Sequence, residues 1–462
     1  MTAKTIEGKI NQTWKSICNE SNIAASIHRS YVSCNTDLPR FYHLIKTHKN
    51  TPTMKVRPIV SNKGGPSYKI SWLLSRLLKP LLNLLPTHLQ SSLQLMETIT
   101  AIPRNVASNF SYPFSLDVIS LYTSIPPEEA IQALAEHLET STEVRLPLSV
   151  NQISALLTTI LKNTYFQYNG KIFQQISGLP MGNSVSGLLA MIYMARIENQ
   201  AINNLNIGLH KRYVDDIIIL TKDRQEAENI FQIMNSLNEH VKFEVEHPNS
   251  SNSICLLDFC LTIDNDGNPH FCFYRKAAKR NMFPHYSSAI PLQVKKAAIH
   301  NELERISQRC SSVADQHHEK AHFLTELKSR GYRKIYEKRK RRRKEQKCEV
   351  ENVCFFEFPF INDRTHQAIK NAFKAANLPV RVYSKNQTLR SLLTRRKSME
   401  SCNIRNCSIN NAKLCNTKMC VYEIRWLKPQ HIHREHRSST PHKNKRTLPK
   451  TVVKRFPTQK PM

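Results

Sequence analysis

Apolar positions along this chain recur with two periods, and the switches between them mark out its elements. Phe114–Tyr122 reads as a strand that ends in an acid, Asp117. Pro126-Pro127-Glu128-Glu129 then opens a helix, with proline at its start and glutamates in its first turn. Ile131, Leu134 and Leu138 continue it at helical spacing, and Ile153, Leu156, Leu157, Ile160 and Leu161 mark a second helix. Asn169-Gly170 between Phe166-Gln167-Tyr168 and Ile172-Phe173-Gln174 is a hairpin signal. A loop from Gly178 to Gly182 leads into a helix through Leu188, Leu189, Ile192 and Ala195. A further helix places Ala227, Ile230, Met234 and Leu237 on one face, and Val241, Phe243 and Val245 alternate as in a strand. Ile254–Ile263 and His270–Tyr274 form a last hairpin around Asp266-Gly267. The mixture predicts an α+β sheet with helices on one face. Beyond it, residues 285–345 read as helical, with Ile299, Leu303, Ile306 and Cys310 on one face and Lys295, Lys296, Arg305 and Arg309 around it. Val353–Phe360 reads as a strand and Gln367–Ala376 as a helix, whereas residues 1–35 are polar and weakly periodic and receive no element. Ile70–Leu85 is interrupted by Arg76 and Lys79, which predicts an amphipathic helix and no membrane span.

Acids at one bend give the first chemistry. Tyr213-Val214-Asp215-Asp216 lies between basic Lys211-Arg212 and the apolar run Ile217–Leu220, so the carboxylates fall on the turn of a hairpin. Buried aspartate pairs need a cation, and Mg²⁺ prefers a few carboxylates together with phosphate oxygens. An Asp-Asp turn in a solvated hairpin is the plainer alternative. Asp117, 98 residues earlier, shifts the balance, because a strand end and a hairpin can meet in one sheet. Three carboxylates there could hold two metals that activate the attacking and leaving oxygens of a phosphoryl transfer.

Charge and cysteine narrow the partners. A formal net charge of +31 suits a polyanion such as nucleic acid, although long basic tails alone would also produce it. The excess is concentrated in the block Lys338–Lys344 and after Leu427. Such blocks are solvated, and some bind nucleic acid or direct nuclear import. With 40% hydrophobic residues the chain has material for a sizeable core. Cys255, Cys260 and Cys272 lie in strand-like apolar runs, which predicts reduced core thiols in an intracellular protein. Cys402, Cys407, Cys415 and Cys420, with four, seven and four residues between them, suit a structural Zn²⁺ or form a loop of free thiols.

These motifs together resemble a known family. Ser115-Leu116-Asp117 through Pro126 is similar to reverse-transcriptase motif A, Gly178–Ser186 to motif B, and Tyr213–Asp216 to motif C. Phe41–Lys49 and Arg57-Pro58-Ile59-Val60-Ser61 resemble fingers motifs. With Tyr274-Arg275-Lys276 added, the set is most similar to the reverse transcriptases of Penelope-like retroelements.

The resemblance implies a right-hand polymerase of fingers, ferredoxin-like palm and helical thumb. It divides the chain into an N-terminal segment (1–35), fingers (36–109), palm (110–284), thumb and basic block (285–345), connecting module (346–400), cysteine-bearing zinc linker (401–425) and basic disordered tail (426–462). It implies two Mg²⁺ ions, replaceable by Mn²⁺, on Asp117, Asp215 and Asp216 as catalytic ligands. Tyr122 would exclude a 2′-hydroxyl, Arg57 and Lys46 would contact template or triphosphate, and Gly182 and Ser184 would lie against the nucleotide. Met181 stands where relatives often carry Gln. The implied partners are dNTPs, a DNA primer and an RNA template, the last from the resemblance alone. No oligomeric state follows, and the expected location is the nucleus.

Val421-Tyr422-Glu423-Ile424 is similar to the first half of the GIY-YIG endonuclease motif of these elements. No second half follows, so the expectation is that the nuclease is lost or truncated. A catalytically inactive nucleic-acid-binding relic is the alternative function. The Tyr-Arg-Lys segment and the cysteine linker weigh against an intron-type or telomerase-like enzyme.

Overall fold

The computed structural model describes residues 2–45, 56–141, 143–202, 205–276, 283–332 and 354–384, and the backbone of 421–425 and 452–456. The chain divides into two units, residues 1–346 and 347–462.

The first unit is built on a four-stranded antiparallel sheet. Its order is Leu209–Tyr213, Asp216–Thr221, Tyr112–Val118 and Phe243–Glu246. Side chains alternate across a strand, so Phe114, Leu116, Ile217 and Ile219, all at 0% exposure, share one face. The helices in the core with that face include Pro127–Thr140, Val150–Lys162, Ser186–Ile202 and Arg224–Ser236. Local sequence sets their starts. Pro127 begins the first, with Glu128 and Glu129 in its opening turn. Ser149 and Gln152 form a reciprocal capping box on the second, and Asp223 caps the fourth. Ser186–Ile202 is buried on nearly every side, as a helix in the centre of a core must be.

Helices do not cover the sheet alone. Ile218 and Leu220 on its other face pack with a second, three-stranded sheet: Ser253–Leu256, Phe259–Ile263 and Pro269–Phe273. The run Ile254–Ile263, expected as a single strand, is broken by a tight turn at Leu257 (φ 53°) and Asp258. This turn sets Cys255 directly opposite Cys260, and the two are joined in a disulfide with Cα atoms 3.9 Å apart. The expectation of reduced thiols therefore fails for this pair. Cys272 is free, and burial pushes its thiol up to about 11.

A helix, Ala3–Glu20, occupies the segment left without an element. Ile6, Ile10, Trp14, Ile17 and Cys18 form its buried stripe, and it packs on Val150–Lys162. The Trp14 indole N–H donates to the carbonyl of His28 over 3.1 Å. The Ile70–Leu85 run is a helix, Tyr68–Leu78, continued by a 3₁₀ turn, Lys79–Leu84. No described helix is long and apolar enough to cross a membrane.

Two helices, Leu292–Gln308 and Val313–Ser329, close on a separate core of Ile299, Ile306, Cys310, Phe323, Leu327 and Tyr332. Three of the four basic residues around that face are engaged by partners within the fold. Lys295 is buried, donating to the carbonyls of Tyr286 and Ser288. Arg305 and Arg309 both bind Asp258, at 2.9 and 3.0 Å. Burial opposes ionisation of Asp258, but hydrogen bonds from Ser92 and Arg305 and the nearby guanidinium charges hold its carboxyl below the ordinary value. Lys296 is exposed.

In the second unit, strands Cys354–Phe358 and Val380–Ser384 run parallel and are joined through the helix Asp363–Ala375. Asn362 caps that helix, and Phe373 packs on Phe356 with ring centroids 5.1 Å apart. The strand and helix expected there are both present. Val421–Arg425, the segment whose sequence resembles half a nuclease motif, pairs antiparallel with Val452–Phe456.

Candidate active site

Asp117 and Asp216 face each other across neighbouring strands. The next residue pair carries the ladder bond, Val118 N–H to Asp215 O at 3.2 Å, so Asp117 and Asp216 occupy a position without inter-strand hydrogen bonds. Opposed side chains approach most closely at such positions. Asp215 lies in the turn of the hairpin, after Val214. All three carboxylates are half-buried.

The Asp216 carboxyl is pushed up to about 6. Burial is the largest cause, followed by the charge of Asp215, with Asp117 and Glu246 adding to it. Lys276 opposes the shift. The segment Tyr274-Arg275-Lys276 is itself anchored, because Arg275 binds Glu302 at 2.8 Å and Glu326 at 2.9 Å. An exposed lysine beside the acids was not among the candidate residues, although it lies in a motif the sequence singled out.

Val214 has φ 60°, a left-handed conformation that is unusual for a β-branched residue. Holding it costs on the order of 1–3 kcal/mol, which the surroundings must supply. Beneath the turn lies an ion pair not expected from the sequence. Arg212 Nε is 2.6 Å from Glu198 Oε1, and both side chains are fully buried. The other Glu198 oxygen accepts from the Thr87 hydroxyl at 2.8 Å. The guanidinium also donates to Met191 O (2.9 Å) and Val214 O (3.4 Å). In the sequence Arg212 is one of two basic residues before the turn, and only Glu198, on a mostly apolar helix, hinted at a buried partner.

Tyr122 follows Asp117 in a short helical turn, Leu121–Ser124. Burial, then the charge of Asp215, raises its phenol above the ordinary value, so ring and carboxylate are neighbours. Its carbonyl accepts from Leu179 N at 2.6 Å, which locks the Asp117 segment to the Gly178–Gly182 loop.

Gly182 has φ 119°, and a Cβ there would stand 2.6 Å from the carbonyl oxygen of Val60. The close approach that glycine permits is to the strand Val56–Val60 rather than to open space. Two main-chain bonds fasten the contact, Val60 N to Met181 O (2.8 Å) and Asn62 N to Gly182 O (3.3 Å). Ser184 is half-buried in the same loop, and Arg57 is exposed three residues before Val60 on the docked strand. Lys46 lies outside the described residues, as do Cys402, Cys407, Cys415 and Cys420.

Among the described residues, no three His, Cys, Asp or Glu side chains form a ready-made metal cage. The donor set nevertheless fits a hard divalent cation. It offers carboxylate oxygens alone, and one of them, Asp216, is held high by burial and by the charge of Asp215. Mg²⁺ is ordinarily held by one or two carboxylates plus waters and substrate phosphates, so an open cluster of this kind suits it.

Residues 24–249 match the family of reverse transcriptases (RNA-dependent DNA polymerases). The chain thus carries a reverse-transcriptase domain, of the nucleotidyltransferase class, and the sheet bearing Asp117 and the Asp215–Asp216 turn falls inside it. Among curated proteins, it is similar to telomerase reverse transcriptase of Oryzias latipes, 32% identical over 78 residues (17% of this chain, 7% of that protein). It is also similar to that of Oxytricha trifallax, 28% identical over 118 residues (22% of this chain, 10% of that protein). The chain thus spans a tenth or less of these relatives' length. Among solved structures, apo telomerase from Candida tropicalis aligns with a TM-score of 0.41 at 13% identity, covering 69% of this chain and 67% of that one.

Proposed function

We propose that this chain is an RNA-directed DNA polymerase that extends a DNA 3′ end by phosphoryl transfer from dNTPs. The observation that carries the reading is the opposition of Asp117 and Asp216 beside Asp215, within the matched reverse-transcriptase domain. Asp117, Asp215 and Asp216 would hold two Mg²⁺ ions. Bound there, the metal would lower the pKa of the primer 3′-hydroxyl and neutralise the triphosphate and pyrophosphate charge. Tyr122, whose phenol feels the charge of Asp215, excludes a 2′-hydroxyl. Arg57 contacts the template or triphosphate, and the Gly182–Ser184 loop borders the nucleotide.

The finer identity we infer is the enzyme of a Penelope-like retroelement acting in the nucleus. Tyr274-Arg275-Lys276 and the cysteine-bearing segment support it. Zn²⁺ on Cys402, Cys407, Cys415 and Cys420 belongs to the same reading. The similarity to telomerase reverse transcriptases favours a second one, a telomerase-like reverse transcriptase. Purified protein should incorporate dTTP on poly(rA)/oligo(dT) with Mg²⁺, and Asp215→Asn should abolish incorporation. Equal activity in the variant would refute the site. Hybrid binding without incorporation by the wild type would indicate an inactive relic. Activity without added template, lost on ribonuclease treatment, would favour the telomerase-like reading.

A further inference from the structure

Arg212 sits two residues before the carboxylates, yet its side chain points away from them into the core. It is fully buried, and each face of its guanidinium is used. Nε meets Glu198, one terminal nitrogen meets Met191 O, and the other reaches Met191 Sδ (3.0 Å) and Val214 O (3.4 Å). Thr87 fixes the second oxygen of Glu198. The main chain of Arg212 is fixed as well, donating to Thr87 O at 2.7 Å and accepting from Leu89 N at 2.9 Å. Every polar group that could let this side chain drift is therefore occupied.

One of those contacts is the carbonyl that joins Val214 to Asp215, in a turn whose first residue adopts a left-handed backbone. A planar guanidinium can hold a carboxylate and two carbonyls at once, whereas an ammonium is a point charge on a flexible stem. A buried pair retained only for stability has little reason to grip the turn, because well-packed apolar residues usually serve that purpose as well or better.

We propose that Arg212, oriented by Glu198 and Thr87, is a positioning residue that fixes the Val214–Asp215 peptide and so sets where the Asp215 carboxylate points. The inference rests on the polymerase reading for its kinetic consequences. Its geometric consequence, the affinity of the acid cluster for a divalent cation, can be read without turnover.

The test uses the full chain and three variants. Arg212→Lys keeps the charge opposite Glu198 but cannot bridge to Val214. The double variant Arg212→Met/Glu198→Met removes both charges together and avoids leaving one buried alone. Thr87→Val removes the second fixing bond. Mn²⁺ binding to the free protein is titrated by electron paramagnetic resonance, alongside melting temperature and steady-state dTTP incorporation. The expected result is a melting temperature within a few degrees of wild type for the double variant, with Mn²⁺ binding about tenfold weaker. The Mg²⁺ concentration for half-maximal activity should rise by a similar factor, and kcat should fall more than the KM for hybrid changes. Arg212→Lys should show the same Mn²⁺ weakening, and Thr87→Val a smaller one. A folded double variant with wild-type Mn²⁺ affinity would overturn the proposal. So would Arg212→Lys rescuing it fully. If wild type binds Mn²⁺ but incorporates nothing, the polymerase reading fails, while the Mn²⁺ titration of the variants still decides the role of Arg212.

Discussion

The carboxylates of Asp117 and Asp216 are set opposite one another by strand register, on the sheet face that also carries Ile218. Burial of Asp216 is the main obstacle to its ionisation, and the charges of Asp215 and then Asp117 add to that conflict.

That conflict gives a pH signature. The folded-state value of Asp216 is raised from 3.8 to about 6, so between these values the native chain holds more protons than the unfolded one. Stability contributed by this group is therefore greatest below about pH 4 and declines as pH rises toward 6. Asp216→Asn should stabilise the metal-free protein at pH 7 by about 2 kcal/mol, an order-of-magnitude figure. The gain should vanish at pH 4. Thermal melts of both proteins across this range, with chelator present, would show it, and a gain independent of pH would contradict the assignment.

Tyr122 supplies a selectivity test. If its ring blocks the 2′-hydroxyl, Tyr122→Ala should raise ribonucleotide use relative to deoxynucleotide at least tenfold, about 1.4 kcal/mol of discrimination. Tyr122→Phe should not, because the block is steric. Competing incorporation of rNTP and dNTP on one hybrid would measure both.

Gly182→Ala would force a Cβ against the Val60 carbonyl in a backbone conformation that disfavours any side chain. Destabilisation of roughly 1–3 kcal/mol is expected. The damage should be local to the docked strand, and hydrogen exchange at Val60 and Asn62 should accelerate more than in the central sheet.

The N-terminal helix is part of the core. Trp14 is 1% exposed, so Trp14→Ala should cost about 3–5 kcal/mol by chemical denaturation. A loss below 1 kcal/mol would mean that Ala3–Glu20 packs as an appendage.

What could be read from residues alone followed from short-range rules. Asn169 and Gly170 both take positive φ in the hairpin they signalled, and the Pro127 and Asp215–Asp216 elements fall where periodicity put them. The Ala3–Glu20 helix was missed because its buried stripe, Ile6, Ile10, Trp14 and Ile17, is thin and set among polar residues. The Leu257 turn was missed because the apolar run shows no glycine or proline at the break. Nothing local to Arg212, Lys295 or Arg309 marks a buried partner, and only tertiary contacts such as those with Glu198 and Asp258 reveal one.

The segment around His88 has one further effect. By bonding to both the N–H and the carbonyl of Arg212, Thr87 and Leu89 run alongside the outermost strand of the sheet like a selvedge. An uncovered strand invites pairing with another chain. Here the edge at Arg212, just before the aspartate bend, is already bonded, so that residue offers a stray polypeptide no main-chain foothold.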